Sequence, residues 1–581
     1  MKPATLRAFR LLRALGLWRL YRAMFSLSLS LVMLAPFHAH AYDSLFYGGF
    51  EAVTDAPSSD AEAARFLTMA TFGPTPTDIA HLRAVGYKQW LLQQLSMPAT
   101  LQRPTVEALD ADDPTPGQAD RLNAWIKNAL TAPDQLRQRT AWALSQIMVA
   151  TFQQSKLGND PIALAELYDT LARDAFGAYP TLLYDVTRSP AMGKMLTYIR
   201  NKAGNPDLGT YPDENYAREV MQLFSIGLVL RGMDFRPIVD EHGDPIPTYE
   251  QATVSAYAQV FTGWSYTSGF NSNPVGPNWS PADYQPMICY DSHHDETHAK
   301  TLLSYSGNYG NDYDPFVLPA NNGCENDLSQ GLAIIANHPN VAPFISRQLI
   351  QRFTTSNPSP AYIERVANVF ANDGAGVYGD LGAVIAAVLT DPEARYGNAA
   401  TPPPAPLVFG KAREPLLKLT ALYRYYNAHA RDGSYSFLNY QAYLQVPLGA
   451  PSVFNFYLPD YLPPGELADA GLFGPEFQIM NESSVFTAAN DLRDRTLAYV
   501  GNPDVDDHTL ALDLSSLQTI ANDPDALVAA MDHDLMYGGM STHMHATLAS
   551  MVAAMPADDP IDRVTSALQV VLASPEFAIQ K

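Results

Sequence analysis

Residues 213–227 read DENYAREVMQLFSIG, and this stretch carries the signals of an amphipathic helix. Its two leading acids suit the positive end of a helix dipole, and its closing glycine is typical of a helix end. Apolar side chains return every three or four positions, at Tyr216, Val220 and Leu223, which places them on one face. The stretch therefore predicts a helix that packs one side against a core and ends at Gly227.

Similar signals recur along the chain. Residues 59–62 and 248–251 match capping boxes, and Thr75-Pro76 places a cap before a first-turn proline. The helix after Thr75 is predicted to stop before Gly86, and the helix after 248–251 is predicted to reach Gly263. Further helices are predicted at 328–337, 341–353, 361–371, 381–389, 413–426, 526–531, 543–555 and 564–572. Convincing strands are scarce, so the sequence predicts a mainly α, multi-helical fold with little or no sheet.

Two long stretches, 267–326 and 431–480, lose the helical period and are rich in Pro, Tyr and Asn or Phe. A chain of this length exceeds what one core usually serves, so two or three packed helical subdomains are expected. The predicted division is an N-terminal helical subdomain at 59–266, a loop region at 267–326, a central helical subdomain at 327–430, an aromatic and Pro-rich loop at 431–480, and a C-terminal helical segment at 481–581. Loops this long in a compact protein are usually functional or pinned.

The N-terminus predicts export. Six basic residues precede any acid, an apolar run covers 23–36, and Ala39-His-Ala41 matches a signal-peptidase site. Residues 1–41 are therefore predicted to be a removed signal peptide, followed by a linker at 42–58. The mature chain would be periplasmic or secreted, with no transmembrane segment. The alternative keeps residues 11–36 as a signal anchor.

Charge narrows the range of partners. The formal net charge is −23, and it becomes −29 after removal of a signal peptide that carries six basic residues and no acid. Such a surface repels phosphate backbones, so nucleic acid is not an expected partner. Cationic partners and divalent ions are electrostatically easier. Composition leaves the oligomeric state open.

The two cysteines of the chain, Cys289 and Cys324, bound its densest run of ligand-type side chains, residues 291–300, which read DSHHDETHAK. In an exported protein such a pair predicts a disulfide. The loop-entropy model gives this bridge roughly 3 to 4 kcal/mol of stabilisation.

Three hypotheses remain open for this run. His294, Asp295 and His298 could ligate a divalent metal, since imidazole and carboxylate form first and second shells together. Under the same hypothesis of a functional site, His294, Asp295 and Lys300 could be catalytic. The second hypothesis is a structural hydrogen-bonded His-Asp-Lys cluster. The third hypothesis is a solvated loop without a specific role.

The helix of residues 213–227 offers a second candidate. Glu214 and Arg218 lie four residues apart on one side, and a carboxylate beside an arginine could support proton transfer or hold a metal near His294. The alternative is an intrahelical ion pair on an exposed face.

Successive short segments resemble those of the domain-of-unknown-function 1800 family, in the expected order and over nearly the whole mature chain. The segments are 65–75 (RFLTMATFGPT), 138–146 (QRTAWALSQ), 185–193 (DVTRSPAMG), 214–219 (ENYARE), 223–227 (LFSIG), 261–264 (FTGW), 338–339 (HP), 379–381 (GDL), 411–415 (KAREP), 450–456 (APSVFNF) and 574–577 (SPEF). Below they are called the signature segments.

The resemblance implies an exported, largely helical bacterial protein whose family has no established activity. It also implies a second exported protein, similar to alkaline phosphatases and sulfatases, as a partner. The family's His-Asp pair falls on His294 and Asp295 and its Lys-Thr-Leu-Leu segment on 300–303, with one extra residue between them. That insertion leaves His293 as an alternative to His294.

Two function classes follow. The favoured class is a scaffold or interaction protein that works with an exported partner, its long loops and the aromatic residues 454–457 forming a docking face. The alternative is a hydrolase-like enzyme that uses the His-Asp-Lys or Glu cluster, with or without a divalent metal as cofactor.

Overall fold

A computed structural model describes residues 55–110, 117–153, 156–274, 280–305, 314–400, 408–436 and 440–581. The predicted signal peptide and most of the linker at 42–58 lie outside these residues. The described part contains 23 helices and three two-stranded sheets, which confirms the mainly α fold.

The helices of the N-terminal part, up to the long loop region, are α1 (Asp60–Ala70), α2 (Pro76–Ser96), α3 (Arg103–Asp110), α4 (Gln118–Thr131), α5 (Gln135–Ser145), α6 (Pro161–Asp174), α7 (Tyr179–Arg188), α8 (Pro190–Met195), α9 (Asn215–Gln222) and α10 (Gln251–Val260). The helices after that region are α11 (Cys324–Ala336), α12 (Val341–Phe353), α13 (Pro360–Ala371), α14 (Leu381–Thr390), α15 (Pro392–Tyr396), α16 (Pro415–Tyr425), α17 (Glu466–Asp469), α18 (Glu482–Leu497), α19 (Ser515–Ile520), α20 (Pro524–Met531), α21 (Thr542–Ala553), α22 (Pro560–Ala573) and α23 (Pro575–Ala578).

The strands are short antiparallel pairs that fasten loops rather than build layers. β1 (Trp264–Ser265) pairs with β2 (Ile288–Cys289), β3 (Lys300–Thr301) with β4 (Val317–Leu318), and β5 (Lys411–Ala412) with β6 (Ile579–Gln580). The last pair ties the C-terminus to the segment before α16.

Local sequence signals explain several helix boundaries. The Ser59 hydroxyl accepts a hydrogen bond from the Glu62 amide at the start of α1. Thr75 and Asp78 form a reciprocal capping box at the start of α2. Gly86 adopts φ 78° and breaks the axis of α2 where the sequence predicts a stop, but a second helical piece continues to Ser96.

Two helix predictions around residues 213–263 were wrong in detail. Regular helix ends at Gln222, because the amides of Ile226 and Gly227 both bond back to the Met221 carbonyl and close the helix early. Gly227 has φ 70°, and a Cβ there would lie 2.9 Å from the Phe344 ring, so the turn depends on glycine.

The predicted cap at Thr248 was the second error. Its hydroxyl donates to the Gly227 carbonyl instead, and α10 begins only at Gln251 and ends at Val260. The threonine therefore fastens the turn after α9 to the approach of α10.

Most buried apolar side chains belong to one contiguous cluster that extends from α1 to α23. The two ends of the described chain meet, since Arg65 Nε donates to the Lys581 carbonyl at 2.7 Å. The division into two or three subdomains stays a prediction.

The loop region at 267–326 is pinned to the helices around it. The predicted disulfide between Cys289 and Cys324 is present, with 6.0 Å between the two Cα atoms. Cys324 is the first residue of α11, and its amide donates to the Asp291 carboxylate at 3.0 Å. Among the helices of the described residues, none has both the length and the apolarity needed to span a bilayer.

Candidate functional site

The predicted His294 lies inside the fold, and both of its ring nitrogens are engaged. Nδ1 lies 2.9 Å from the hydroxyl and 2.9 Å from the carbonyl oxygen of Thr262, and Nε2 lies 2.9 Å from Asp327 Oδ2. The side chains of His294 and Asp327 are 0% exposed. The imidazole therefore has no nitrogen directed at solvent or at an open ligand position.

Lys300 completes this buried group. Its Nζ donates to the Asp295 carbonyl at 2.6 Å and lies 2.7 Å from Asp327 Oδ2. Burial alone would raise the pKa of Asp327, but hydrogen bonds from His294, Lys300 and Asn322, together with the Lys300 charge, hold the pKa below its ordinary 3.8. The result is a hydrogen-bonded cluster with a charged acid at its centre.

The Asp295 side chain points away from that cluster. It accepts hydrogen bonds from the Thr297 amide and hydroxyl and lies 2.9 Å from the ring nitrogen of His298. Burial raises the pKa of Asp295, but the bonds from His298 and Thr297 outweigh it and lower the pKa. Asp295 and His298 thus form a separate pair, in which the Asp295 side chain is buried and that of His298 is 56% exposed.

Glu214 and Arg218 belong to a different environment. Arg218 bonds to Glu214 at 3.3 Å along the start of α9, and both side chains also bond to Gln251 on α10. Glu214 further accepts the Ser255 hydroxyl at 2.6 Å. The contacts of this pair join α9 to α10, whereas those of His294 join the loop to α11.

For a metal, the described residues offer one grouping of three ligand-type atoms within 4.8 Å of one another, at Cys289, Asp291 and Cys324. Both sulfurs are already joined in the disulfide, so neither is a thiolate ligand. The metal role predicted for His294, Asp295 and His298 stays a prediction without an assembled ligand set in the described part of the chain.

The sequence analysis did not predict two members of the His294 cluster, Thr262 and Asp327. Thr262 lies in the signature segment 261–264, so a signal for it existed. For Asp327 the sequence offers no comparable motif, only a position in the first turn of a helix. It lies 33 residues from His294, so no local pattern connects the two residues. Only the fold brings these two side chains together.

A second candidate site lies elsewhere in the described structure, between α12, the turn after α9 and the aromatic loop of residues 431–480. It is a cavity of about 570 Å³, within the range of small-ligand pockets. Its wall is mostly apolar and includes Leu223, Leu228, Phe235, Phe344, Phe454 and Phe473. Three guanidinium groups, those of Arg231, Arg347 and Arg352, also line it, and we refer to it as the arginine cavity.

Arg347 has the least satisfied of these guanidinium groups. Its side chain bonds to the Pro459 carbonyl at 3.5 Å, the outer limit for a hydrogen bond, and among the described residues no carboxylate lies within 4.0 Å of it. The pKa of Arg347 is lowered to about 10, chiefly by burial; the charge of Asp460 opposes this shift, and the charges of Arg231 and Arg352 add to it. The group remains a cation at neutral pH, largely removed from water.

Aromatic rings hold the Arg347 guanidinium in place. It lies 4.7 Å from the centroid of Phe235 and 5.4 Å from that of Phe473. Arg231 lies 4.0 Å from the Phe235 centroid, so two cations share one ring. Phe235 itself has φ 68°, a conformation that costs energy for an aromatic residue and is concentrated at binding sites.

A network of buried charges lies behind the cavity. Glu414 is fully buried; its Oε2 accepts from Trp142, Gln146 and Gln445 at 2.8–2.9 Å, and its Oε1 lies 3.8 Å from Lys411. Burial raises the pKa of Glu414, but the charges of Lys411 and Arg139 and these hydrogen bonds lower it overall.

The network reaches the cavity wall through Gln146. Its side-chain oxygen accepts from the Tyr457 hydroxyl at 2.9 Å, and its backbone carbonyl accepts from Arg352 at 2.9 Å. Three signature segments, 138–146, 411–415 and 450–456, supply Gln146, Glu414 and the stretch before Tyr457. These three signature segments thus meet at or behind the wall of the arginine cavity.

Sequence reasoning missed Arg347 and Arg352. Both lie in α12, whose bounds were predicted correctly but whose polar residues were not predicted to form a site. A signal was present, since four long polar side chains at 347, 348, 351 and 352 interrupt an otherwise apolar helix. The segment 454–457, by contrast, was predicted to lie on a docking face, and Phe454, Asn455 and Tyr457 line this cavity.

The fold and this site define a mainly α protein with loops pinned by a disulfide and an arginine-lined cavity backed by buried charges. A family model described as "Protein of unknown function (DUF1800)" matches residues 65–579, and the chain belongs to this family. Comparison with curated proteins and comparison with solved structures find no match.

Proposed function

We propose that this protein is an exported interaction protein that works with a second exported protein, and that the mouth of the arginine cavity is its docking face. The observation that carries the proposal is the buried guanidinium of Arg347, which lines an open cavity and has no carboxylate within 4.0 Å among the described residues. A charge held in this way suits a site that a partner completes.

The rim of the cavity supports the same proposal. Leu228, Phe454 and Leu458 are 54%, 46% and 39% exposed, and they surround the opening. Exposed aromatic and aliphatic side chains around a charged centre are typical of docking surfaces. The family resemblance supplies the kind of partner to be tested, an exported protein similar to alkaline phosphatases and sulfatases.

The hydrolase alternative has weaker support. A catalytic acid or base must reach the proton that it transfers. The side chains of His294, Lys300 and Asp327 are 0% exposed and bonded to one another. The buried arrangement favours the structural hydrogen-bonded cluster that the sequence left open as an alternative.

The proposal is tested by isothermal titration of the purified mature protein with a purified exported protein similar to alkaline phosphatases and sulfatases. We expect a binding isotherm that weakens at least tenfold in Phe454→Ser, because truncation of an anchoring aromatic costs about 2 kcal/mol or more. Phe486→Ser is the matched control, since Phe486 is 71% exposed on α18 and lies outside the cavity lining. Equal affinities for wild type and Phe454→Ser would contradict the assigned face.

A further inference from the structure

We propose that the arginine cavity binds a carboxylate attached to a large apolar group, with Arg347 as the residue that pairs with the carboxylate. This inference rests on the proposed function and specifies its ligand class, which is a partner segment in which an acidic group adjoins an aromatic or aliphatic side chain.

The charges around the cavity favour an anion. Arg231, Arg347 and Arg352 line it, and Asp460 is the one carboxylate among the lining residues. Asp460 is exposed at the rim and lies more than 4.0 Å from all three guanidinium groups. The rest of the protein is strongly acidic, but at physiological salt a charge beyond about 8 Å is largely screened, so the nearby arginines dominate inside the cavity.

Of the three arginines, Arg347 makes the weakest hydrogen bonds within the protein and so has the most capacity left for a ligand. Arg352 already donates to both Gln348 oxygens and to the Gln146 carbonyl, and Arg231 donates to the Phe235 carbonyl at 2.8 Å. Arg347 has only its long contact with Pro459. A planar guanidinium with free donors matches the two oxygens of a carboxylate, and the rings beside it fix its orientation before binding.

The mostly apolar lining of the cavity favours a ligand that carries a large apolar group. Phe235, Phe344, Phe454 and Phe473 contribute four aromatic rings to a space of about 570 Å³. An inorganic anion would fill a small part of that space and leave these rings in contact with water. A carboxylate that carries an aromatic or aliphatic group would occupy both the charged and the apolar surfaces.

The test compares two probes of nearly the same shape, N-acetylphenylalanine and its uncharged primary amide. Both are titrated into the purified mature protein at pH 7 and low salt, and binding is followed by ligand-observed NMR. We expect the wild type to bind the carboxylate at least tenfold more tightly than the amide. Arg347→Met should abolish that preference, whereas Arg236→Met should retain it, because Arg236 is 73% exposed in the same segment and lies outside the cavity lining.

Melting temperatures separate loss of binding from loss of fold. Arg347 is buried without a carboxylate partner among the described residues, and replacing such a charge with an apolar group of similar length is often neutral or stabilising. Arg347→Met is therefore expected to melt at or above the temperature of the wild type. A marked fall would assign Arg347 a structural role and overturn the inference.

Three other outcomes would overturn it: equal affinity for the two probes, an unchanged preference in Arg347→Met, or inorganic phosphate binding as tightly as N-acetylphenylalanine. These failures differ from failure of the proposed function. If the partner protein binds wild type and Arg347→Met equally, the docking function stands and the carboxylate ligand is wrong. If the carboxylate probe binds through Arg347 but the partner does not bind, the ligand class stands and the docking function is wrong.

Discussion

Replacement of Lys300 by methionine tests whether the His294 cluster is a structural element. The variant keeps most of the side-chain volume but removes the ammonium group, which lies 2.7 Å from Asp327 and 2.6 Å from the Asp295 carbonyl. Asp327 then stays buried with one charge partner fewer. Breaking a buried ion pair from one side costs about 3 to 5 kcal/mol. Because His294 and Asn322 still bond to Asp327, we expect about 3 kcal/mol.

The assay is urea denaturation at pH 7, followed by tryptophan fluorescence and by far-ultraviolet circular dichroism, with coincident transitions as the condition for extracting a free energy. The matched control is Arg493→Met, which removes an ion pair whose side chains are 52% and 59% exposed. That exposed pair should contribute less than about 1 kcal/mol. A loss below about 1 kcal/mol in Lys300→Met would refute the structural role of the cluster.

The same variant has a predicted pH dependence. The folded-state pKa of Asp327 lies below its ordinary value, so the acid stabilises the fold above the unfolded pKa of about 3.9. That contribution is lost as the pH falls through the folded pKa, because both states then bind the proton. The difference in stability between wild type and Lys300→Met should therefore be full at pH 6 and shrink as the pH falls below about 4.

Three further predictions concern other parts of the chain. The double change Cys289→Ser with Cys324→Ser should lower the free energy of unfolding by roughly 3 to 4 kcal/mol in urea denaturation, and a reductant should destabilise only the wild type. Burial, and then the charge of Asp185, raise the pKa of Asp174 to about 7, so this acid costs stability as the pH rises from about 4 to about 7. Asp174→Asn should therefore raise the melting temperature more at pH 8 than at pH 5, and equal shifts would contradict this. Intact-mass analysis of the exported protein should show cleavage after Ala41, and an uncleaved N-terminus would favour the signal anchor.

Helices were predictable from the sequence where their boundaries depend on neighbouring residues. Val341–Phe353 has its predicted bounds, because its apolar period is local and because Thr354, directly after it, bonds back to the Ile350 carbonyl. Thr248 failed as a cap because its hydroxyl bonds to Gly227, 21 residues away. Such a choice between a local and a tertiary partner depends on packing, which a capping pattern does not contain.

The same contrast between local and tertiary partners applies to the His294 cluster. His294, Asp295 and Lys300 lie close in sequence, so their proximity in the fold could be expected. Asp327, the acid that unites His294 and Lys300, comes from the start of α11 and gave no local signal. The catalytic role predicted for these three residues and the metal role predicted for His294, Asp295 and His298 stay predictions.

The arginine cavity illustrates a further limit of sequence reasoning. Arg347 and Arg352 read as ordinary polar positions of a helix, because an unpaired buried charge is a property of three-dimensional surroundings. The aromatic loop was recognised by composition alone, and composition could not place it against α12. Only the fold reveals that Phe473 of this loop lies against the Arg347 guanidinium.

The network of buried charges around Glu414 gives a physical reason why the signature segments 138–146, 411–415 and 450–456 meet at or behind the wall of this cavity. Arg139 and Lys411 form buried ion pairs with Glu414. Replacing a buried ion pair with apolar residues of similar volume is often neutral or stabilising, so stability alone does not explain these charges. Charged hydrogen bonds do, however, demand one geometry, and here they connect through Gln146 to the Tyr457 hydroxyl on the cavity wall. The network therefore fixes the aromatic loop on the helices at a defined position. That is what a binding cavity requires, and packing of apolar side chains alone would specify it less sharply.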